Sequence, residues 1–532
     1  MILYRDDNWL AVDKPEGMAT HAGSPGELGA VEWLKLHLDI QTYVVSRLDR
    51  GTSGVLLLAM NPEASARAQA IHESGEAAKF YEFISHKDAQ ALGCQEEWLC
   101  EDAIDGKAAA TRFTCLGPFI EEGSGPRAAP LFRYRARIAR GRKHQIRRHA
   151  SNAGIPILGD REYGGRPHGR ICLHCAEVHW PELKDPVFSE LPPSFQALCH
   201  GDSSASRLGL AICCDRRGQW LPQITDCFRA VHRDEIQNLP ASVDVFGQWF
   251  HAVWYDETAD SRKAAGRLDP VLQQLMKIHG LKGGVVRTHH KNPHQTSLVT
   301  RTRILGDEPP ETFTVTEHGL HYEINLLTTQ HTGLFLDQRD TRRRLMLLAR
   351  GQRMTNLFAF TGSFSVAAAA AGCEVVFSVD TAKACLNTGK TNFTLNDLNE
   401  TGQGKFIQED ARKWTNRQLR RLEEDPDEYP AFDLVVCDPP VFASSKDGGK
   451  FSVEKEWPWL AESLSKLMAP GGVAVFANNH RGGKHGFYKR ELAGYFPEVV
   501  DLRPPLDFPV AEGRPHHVRT FWCRKSTSQE TL

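Results

Sequence analysis

Nothing in the 532-residue sequence reads as a membrane span: no apolar run approaches the roughly 18 residues that suggest one. The opening stretch MILYRDDNWLAVDKPEG is broken by charge within a few residues and lacks the long apolar centre of a signal peptide. A cytoplasmic protein is the expectation, with its 13 cysteines mostly reduced. Charge of one sign is not in excess either. The formal net charge is -2, so the global balance does not announce a nucleic-acid partner, although local clusters still can. A paired C-x-x-C framework is missing: ICLHC places Cys172 and Cys175 around His174 with no second pair. That favours an alternating strand with two buried thiols over a zinc site, and no metal is expected. No internal repeat stands out.

What is present falls into three zones. Residues 1 to about 185 mix short alternating strands with Gly-rich turns, and LFRYRARIAR predicts a strand with its arginines on one face. SELPPSFQALCHGDSSASR, residues 189 to 207, has the Pro and Ser content of a linker. From about 208 to 340, DPVLQQLMKIHGLKGG predicts a helix closed by glycine, and TSLVTRTRIL, ETFTVTEHG and LHYEINLL predict strands. From about 341 strand, turn and helix alternate through RMTNLFAFTG, SFSVAAAAAG, EVVFSVD, KACLNTGKTNFTLN, FDLVVCDPP, LAESLSKLMAPGG and VAVFANN. Such a rhythm implies a parallel sheet covered on both faces.

Two constellations carry chemistry. In VVSRLDRGTSGVLLLA, Asp49 stands between Arg47 and Arg50 just before a strand. Nearby positive charge keeps a carboxylate ionised, and an ionised carboxylate in a pocket can act as a nucleophile. A structural ion pair is the plainer reading of R-x-D-R alone. The surrounding stretches decide. SRLDRGTSG, VDKPEGMATH, AKFYEFI, GRKHQIRRHASNAGIPILGDREYGG and RICLHCAEVHW resemble, in order, the motifs of RluA-type pseudouridine synthases. Ser46 stands where the family usually has histidine, and Lys143 where it has threonine. The resemblance implies that Asp49 attacks a target uridine at the sugar or the base. It implies that Arg147 pairs with Asp49, and that Tyr81 lies against the uracil and takes the final proton. An isomerisation needs no cofactor. Arg47, Arg50, Arg142 and His144 are expected at the RNA, and the arginine strand at 133 to 142 on its phosphates.

The second constellation is a glycine turn with acids at strand ends. NLFAFTGSFS sets Thr361 and Gly362 between strand and helix, Asp380 ends the next strand, and Asp410 the third. Together they describe an adenosine site at the carboxyl edge of a sheet. The G-x-G-x-x-G fingerprint is absent, which disfavours NAD and favours S-adenosylmethionine. CDPPVF adds Asp438 and a rigid loop, Pro439 and Pro440, with Phe442 available to stack on a base.

EHGLHYEINLLTTQHTGLFLDQRDTRRRL, NLFAFTGSFSVAAAAAG, VVCDPPVFASSK and VFANNHRG resemble class I 23S rRNA methyltransferases, and most closely the guanine-N7 half of RlmKL-type enzymes. This implies cofactor binding by Phe358, Thr361, Gly362, Asp380, Asp410 and Asp438, with Arg339 near cofactor or RNA. Related cytosine-C5 enzymes need a thiolate after the fifth strand. Ala477, Asn478 and Asn479 stand there instead, and strand alternation turns Cys437 away. Nitrogen is therefore the expected acceptor, with Asn478 and Asn479 facing a base edge or finishing a turn.

The sequence thus predicts a multidomain protein with three parts. Residues 1–200 form an α+β pseudouridine synthase with a mixed sheet, 205–340 a small α+β RNA-guiding module, and 341–532 an α/β Rossmann-like methyltransferase. The expected function is a bifunctional enzyme acting on RNA, 23S rRNA above all, with S-adenosylmethionine and no obligate protein partner. The rival readings are an RNA-binding assembly factor with an inactive site and a small-molecule methyltransferase with an unrelated neighbour.

Overall fold

A computed structural model describes residues 1–119, 130–199, 205–233, 235–255, 261–291, 298–328, 331–399, 402–445, 449–480, 486–509 and 518–527. The alternating segments of the first zone become ten strands: β1 Ile2–Arg5, β2 Trp9–Lys14, β3 Tyr43–Val44, β4 Ser53–Ala59, β5 Ala78–Ser85, β6 Glu97–Cys100, β7 Thr111–Phe119, β8 Leu131–Ile138, β9 Leu173–His179 and β10 Val187–Phe188. They form one mixed sheet in the order β1-β2-β4-β9-β5-β8-β7-β6, with β3 on β4 and β10 on β9. Only the β4–β9 pair is parallel. Every residue of β4 is buried, because neighbours cover both faces. The two strands touch at Gly54, where a Cβ would stand 2.2 Å from the Cys175 carbonyl oxygen and φ is +107°. Cys172, one residue before β9, and Cys175, within it, are both fully buried, so both faces are covered there.

Two expectations change here. Arg133, Arg135 and Arg137 do share a face of β8, but Arg133 is paired with Glu82 and Arg135 with Glu177. Arg135 and Arg137 also lie over the Phe80 ring, at 4.7 and 5.9 Å. The protein's own acids thus occupy most of the face expected to hold phosphates. The stretch read as a linker instead carries the helix Pro193–Cys199 and the start of the helix Ala205–Arg217. Pro193 opens its helix, where a missing N–H costs nothing. The backbone N–H and hydroxyl of Ser194 donate to Asp215, which also grips Arg170 with both side chains fully buried.

The middle zone forms a five-stranded sheet in chain order: β11 Cys227–Val231, β12 Ala241–Phe246, β13 Trp249–Trp254, β14 Gly283–Lys291 and β15 Leu298–Gly306. The helix Ser261–His279 crosses between the parallel pair β13 and β14, and Gly280 in the left-handed region follows it. A hairpin follows, β16 Phe313–Glu317 with β17 Leu320–Ile324.

The last zone has β18 Arg353–Leu357, β19 Val375–Asp380, β20 Gly404–Gln408, β21 Phe432–Cys437, the hairpin β22 Phe442–Ser445 and β23 Gly449–Ser452, then β24 Met468–Asn478, β25 Glu498–Leu502 and β26 Arg519–Arg524. Its sheet order is β20-β19-β18-β21-β24-β26-β25, parallel except where β26 runs against both neighbours. Order reverses between β18 and β21, and a doubly wound sheet opens its ligand crevice at that point, outside the strands' carboxyl ends. The predicted glycine turn and the D-P-P acid flank this opening. Among the described residues, no helix is long and apolar enough to cross a membrane.

The three bodies are packed together. Trp33 lies edge-on to Trp220 at 4.8 Å, and the Trp220 indole donates to the Asp13 carbonyl at 2.7 Å. His37 meets His318 at 3.1 Å and Asp340 at 3.2 Å. Arg343 donates to the Leu36 carbonyl at 2.8 Å.

Candidate active sites

Asp49 lies on the turn before β4, its side chain 36% exposed and making no hydrogen bond among the described residues. Its sequence neighbours do not pair with it. Arg50 turns to Glu27, and Arg47 is exposed. The cations that do face Asp49 come from the helix Gln145–Asn152 and the residue before it: Arg147 Nη1 at 3.8 Å and His144 Nε2 at 3.9 Å. Arg147 itself is held elsewhere. Its Nε and Nη2 donate to Asp160 at 2.6 and 2.8 Å, and Nη2 to Glu162 at 2.9 Å. The Asp160 side chain is 1% exposed, so this bidentate pair is screened from water. His144 is likewise shared, with the Tyr163 hydroxyl at 3.0 Å.

Arg147 thus forms an ion pair with Asp49 but no hydrogen bond. A cation 3.8 Å away favours the ionised carboxylate without consuming its lone pairs. Tyr81 is buried nearby, and burial, with Cys175 and Asp49 adding to it, pushes its phenol well above the usual value. Its expected place against the uracil rests on this buried position beside Asp49. Asp160, Glu162 and Tyr163 are the residues that reading by motif missed. All three stand inside GDREYGG, but nothing in the letters shows which cation they hold. Arg142 donates through Nε to the Ala108 carbonyl at 3.3 Å.

At the second site the loop Phe358–Gly362 alternates into the left-handed region, with φ of +58° at Phe358, +50° at Phe360 and +71° at Gly362. For non-glycine residues this costs of order 1–3 kcal/mol each and collects at ligand clamps. Asp380 stabilises the loop: its carboxylate accepts the N–H of Phe360 at 2.9 Å and of Ala382 at 2.8 Å. Thr361 donates to the Gly333 carbonyl at 2.6 Å. Asp438, just past β21, is half-buried and accepts no hydrogen bond among the described residues. Burial, and then the nearby Asp337 charge, push its carboxyl up to about 7. Asp337 is itself raised by burial, and it too was missed, although FLDQRD contains it.

Asn478 ends the neighbouring strand β24, fully buried, and its Nδ2 has no partner among the described residues. Asn479 and Pro440 are exposed, Pro439 is buried, and Phe442 is 72% exposed. Phe358 packs on Phe451 at 5.4 Å.

Two expected ligands have other work. Asp410 caps the helix Ala411–Glu424, accepting the N–H of Arg412 and Lys413, and also pairs with the Arg412 side chain. Against burial, those donors hold its carboxyl below the usual range. Arg339 is completely buried, bonded to Asp507 at 2.8 Å and to the Cys227 carbonyl at 2.9 Å, with Glu317 at 3.5 Å. It joins the middle sheet to the last one and presents nothing to an RNA.

The remaining groups suit a cation-bearing nucleoside. The carboxylates of Asp438 and Asp337, close enough for the Asp337 charge to raise the Asp438 carboxyl, match a sulfonium and an ammonium group. Asp380 keeps lone pairs for ribose hydroxyls, and the Asn478 amide is an unpaired buried donor. S-adenosylmethionine fits this donor set.

Fold and sites together define two enzyme classes in one chain. Residues 8–152 match the family described as RNA pseudouridylate synthase, and residues 266–511 the family described as S-adenosylmethionine-dependent methyltransferase. The second match begins within the helix Ser261–His279, so it takes in β14 and β15 as well as the last sheet.

More particularly, the chain is similar to the Ribosomal RNA large subunit methyltransferase K/L of Aeromonas hydrophila, 32% identical over 312 residues, which are 56% of this chain and 39% of that protein. The protein of that name from Colwellia psychrerythraea is 30% identical over 302 residues, 55% of this chain and 39% of its own. The chain thus spans about two fifths of the length of these curated relatives. A solved putative methyltransferase, SMU.776 complexed with SAH, shares the fold with a TM-score of 0.51 and 20% identity, covering 70% of this chain and 89% of that one.

Proposed function

We propose that this chain is a bifunctional RNA-modifying enzyme, isomerising uridine to pseudouridine at Asp49 and methylating a base, guanine N7, in 23S rRNA at the β18–β21 crevice. The domains are 1–200, 205–340 and 341–532. One observation carries the reading. Asp49 and Asp438 stand on separate sheets, each at a loop before or after a strand, and each leaves its carboxylate without a hydrogen bond among the described residues. An acid left uncommitted twice over, in a protein that pairs most of its buried charges, is an acid kept for a ligand.

At the first site an Asp49 oxygen bonds to the uridine, and the glycosidic C–N bond breaks. The uracil turns and rejoins the sugar through C5 as the Asp49 bond is released; the C5 proton is then lost to solvent and N1 takes one up, so the net reaction is an isomerisation. Arg147, anchored by Asp160, faces the attacking oxygen and does not follow it. Tyr81 packs against the ring. Arg47 is free to meet a phosphate, which positions RNA without reading its sequence.

At the second site S-adenosylmethionine, when bound, supplies a methyl group activated by its sulfonium. Asp380 orients the ribose, and Asp438 with Asp337 neutralises positive charge. The exposed Phe442 ring offers a stacking face for the target base. Nitrogen is favoured over cytosine C5 because Cys437, the cysteine beside the D-P-P acid, is fully buried, and burial raises its thiol well above the usual value. Guanine N7 is already nucleophilic and needs positioning only. The K/L relatives' names support 23S rRNA as substrate.

The test is nucleoside mass mapping of large-subunit rRNA incubated with the full chain and S-adenosylmethionine. Asp49→Ala should remove only the pseudouridine, and Asp438→Ala only the methyl mark. A variant that removes neither product overturns the assignment of its site.

A further inference from the structure

The turn that carries Asp49 is braced by residues of all three bodies. On one side, the Arg50 carbonyl accepts the Gly17 N–H at 2.9 Å and the Lys14 ammonium at 3.4 Å. That segment is tied outward, because Glu16 accepts Arg216 Nε at 2.8 Å from the helix Ala205–Arg217. On the other side, the Arg50 guanidinium is ion-paired with Glu27, whose side chain is only 6% exposed. The same Glu27 oxygen lies 3.7 Å from Arg503 Nη1, at the end of β25 in the last sheet.

The backbones meet there as well. Arg503 N–H donates to the Gly26 carbonyl at 3.0 Å. Gly26 has φ +85°, and a Cβ on it would stand 2.1 Å from the Asp501 carbonyl oxygen, so a residue with a side chain would push the two bodies apart.

We propose that Glu27 and Arg503 are positioning residues for uridine isomerisation, a link by which the methyltransferase body sets the turn that aims Asp49. The proposal rests on the synthase reading above. Neither residue touches the reacting atoms. Their effect passes through Arg50, one residue from the nucleophile. An exposed ion pair is worth little as stability. Glu27 is instead a buried acid shared by two cations, and an Asp49 misplaced by about 1 Å can cost as much as about 100-fold in rate. Fusion would then do more than hold two activities near one RNA: the second body would complete the geometry of the first site.

The experiment measures pseudouridine formation on 23S rRNA by the full chain. Arg503→Ala, a change in the methyltransferase body, should lower kcat about tenfold and leave KM for RNA unchanged. Arg503→Lys should restore most of the rate. Glu27→Gln should give the same loss, and the double variant no more than either single one, since both cut one path. Amide exchange at Gly51 and Thr52 should quicken in Arg503→Ala, while methyl transfer stays at its wild-type rate.

A raised KM with unchanged kcat would make Arg503 a direct RNA contact and overturn the proposal, as would additive losses. If the wild-type chain forms no pseudouridine, the synthase reading falls. In that case the exchange measurement still decides the link, and unchanged exchange at Gly51 and Thr52 overturns it.

Discussion

The two key acids differ in how they are kept ready. Asp49 faces cations that other acids hold at a distance, so its carboxylate is left without a hydrogen bond among the described residues. Asp438 has a neighbouring acid and no cation beside it among the described residues, and its carboxyl is raised to about 7. The sign of the resulting pH dependence follows. A carboxyl whose pKa is higher folded than unfolded binds its proton more tightly in the folded chain. Its contribution to stability is complete below the unfolded value, near 4 for an aspartate, and is lost as pH rises through about 7. Asp438→Asn removes that loss. The variant's unfolding temperature should therefore exceed the wild type's by more at pH 8 than at pH 5. A difference that stays constant between the two would mean that Asp438 does not titrate in this range. Loss of the carboxylate should weaken S-adenosylmethionine binding at pH 8, so the variant trades binding for stability in the way functional acids do.

At the scale of elements, side-chain direction separates residues that serve a ligand from residues that serve the fold. Asp410 looked like a cofactor ligand because it follows a strand at the right edge of the sheet. It is the N-cap of the helix Ala411–Glu424, with both oxygens accepting hydrogen bonds. Asp410→Ala should cost about 1 kcal/mol of stability, the usual worth of such a cap, as read by denaturant unfolding. Affinity for S-adenosylmethionine should stay within about twofold of wild type, since the carboxylate has little left to offer. A large loss of affinity at unchanged stability would restore it to the cofactor site.

The same distinction shows what could be read in advance. Strand periodicity announced β8, β15, β16, β17 and the parallel strands, because burial alternates or persists in the letters themselves. Pro193 and its serines read as a linker, although proline opens helices as readily as it breaks them. Sequence adjacency also misled at Asp49. Arg47 and Arg50 flank it in the chain, but a turn sends successive side chains apart, and the cations that face it come from nearly 100 residues on. Arg339 misled in the opposite way: FLDQRD suggested a ligand, while its partner Asp507 lies 168 residues away and leaves no trace in the local pattern.

At the scale of the molecule, the seams decide whether the three sheets behave as one body. They are not thin. Trp33 on Trp220, His37 between His318 and Asp340, Arg217 on the Asp507 carbonyl at 3.1 Å and Arg343 on Leu36 all pair or bury groups that a separated body would leave unsatisfied. A buried polar group stripped of its partner costs of order 1–3 kcal/mol, so opening the seams is expensive before any sheet unfolds. Cutting the chain near residue 200 would leave these groups exposed on both pieces, which makes the intact chain the sound object for experiment.

Ligand linkage supplies the test. A ligand that binds only the folded state adds about 2.7 kcal/mol at a free concentration of about 100 times Kd. If the bodies unfold independently, S-adenosylmethionine at that excess protects only the last sheet. If the seams make unfolding cooperative, the added stability must appear everywhere at once. Amide exchange in β4, which lies in the synthase sheet and contacts no cofactor residue, should therefore slow on adding S-adenosylmethionine by about the same factor as exchange in β21. Slowing confined to β21 would show that the two halves are joined by chain and contact but not by stability.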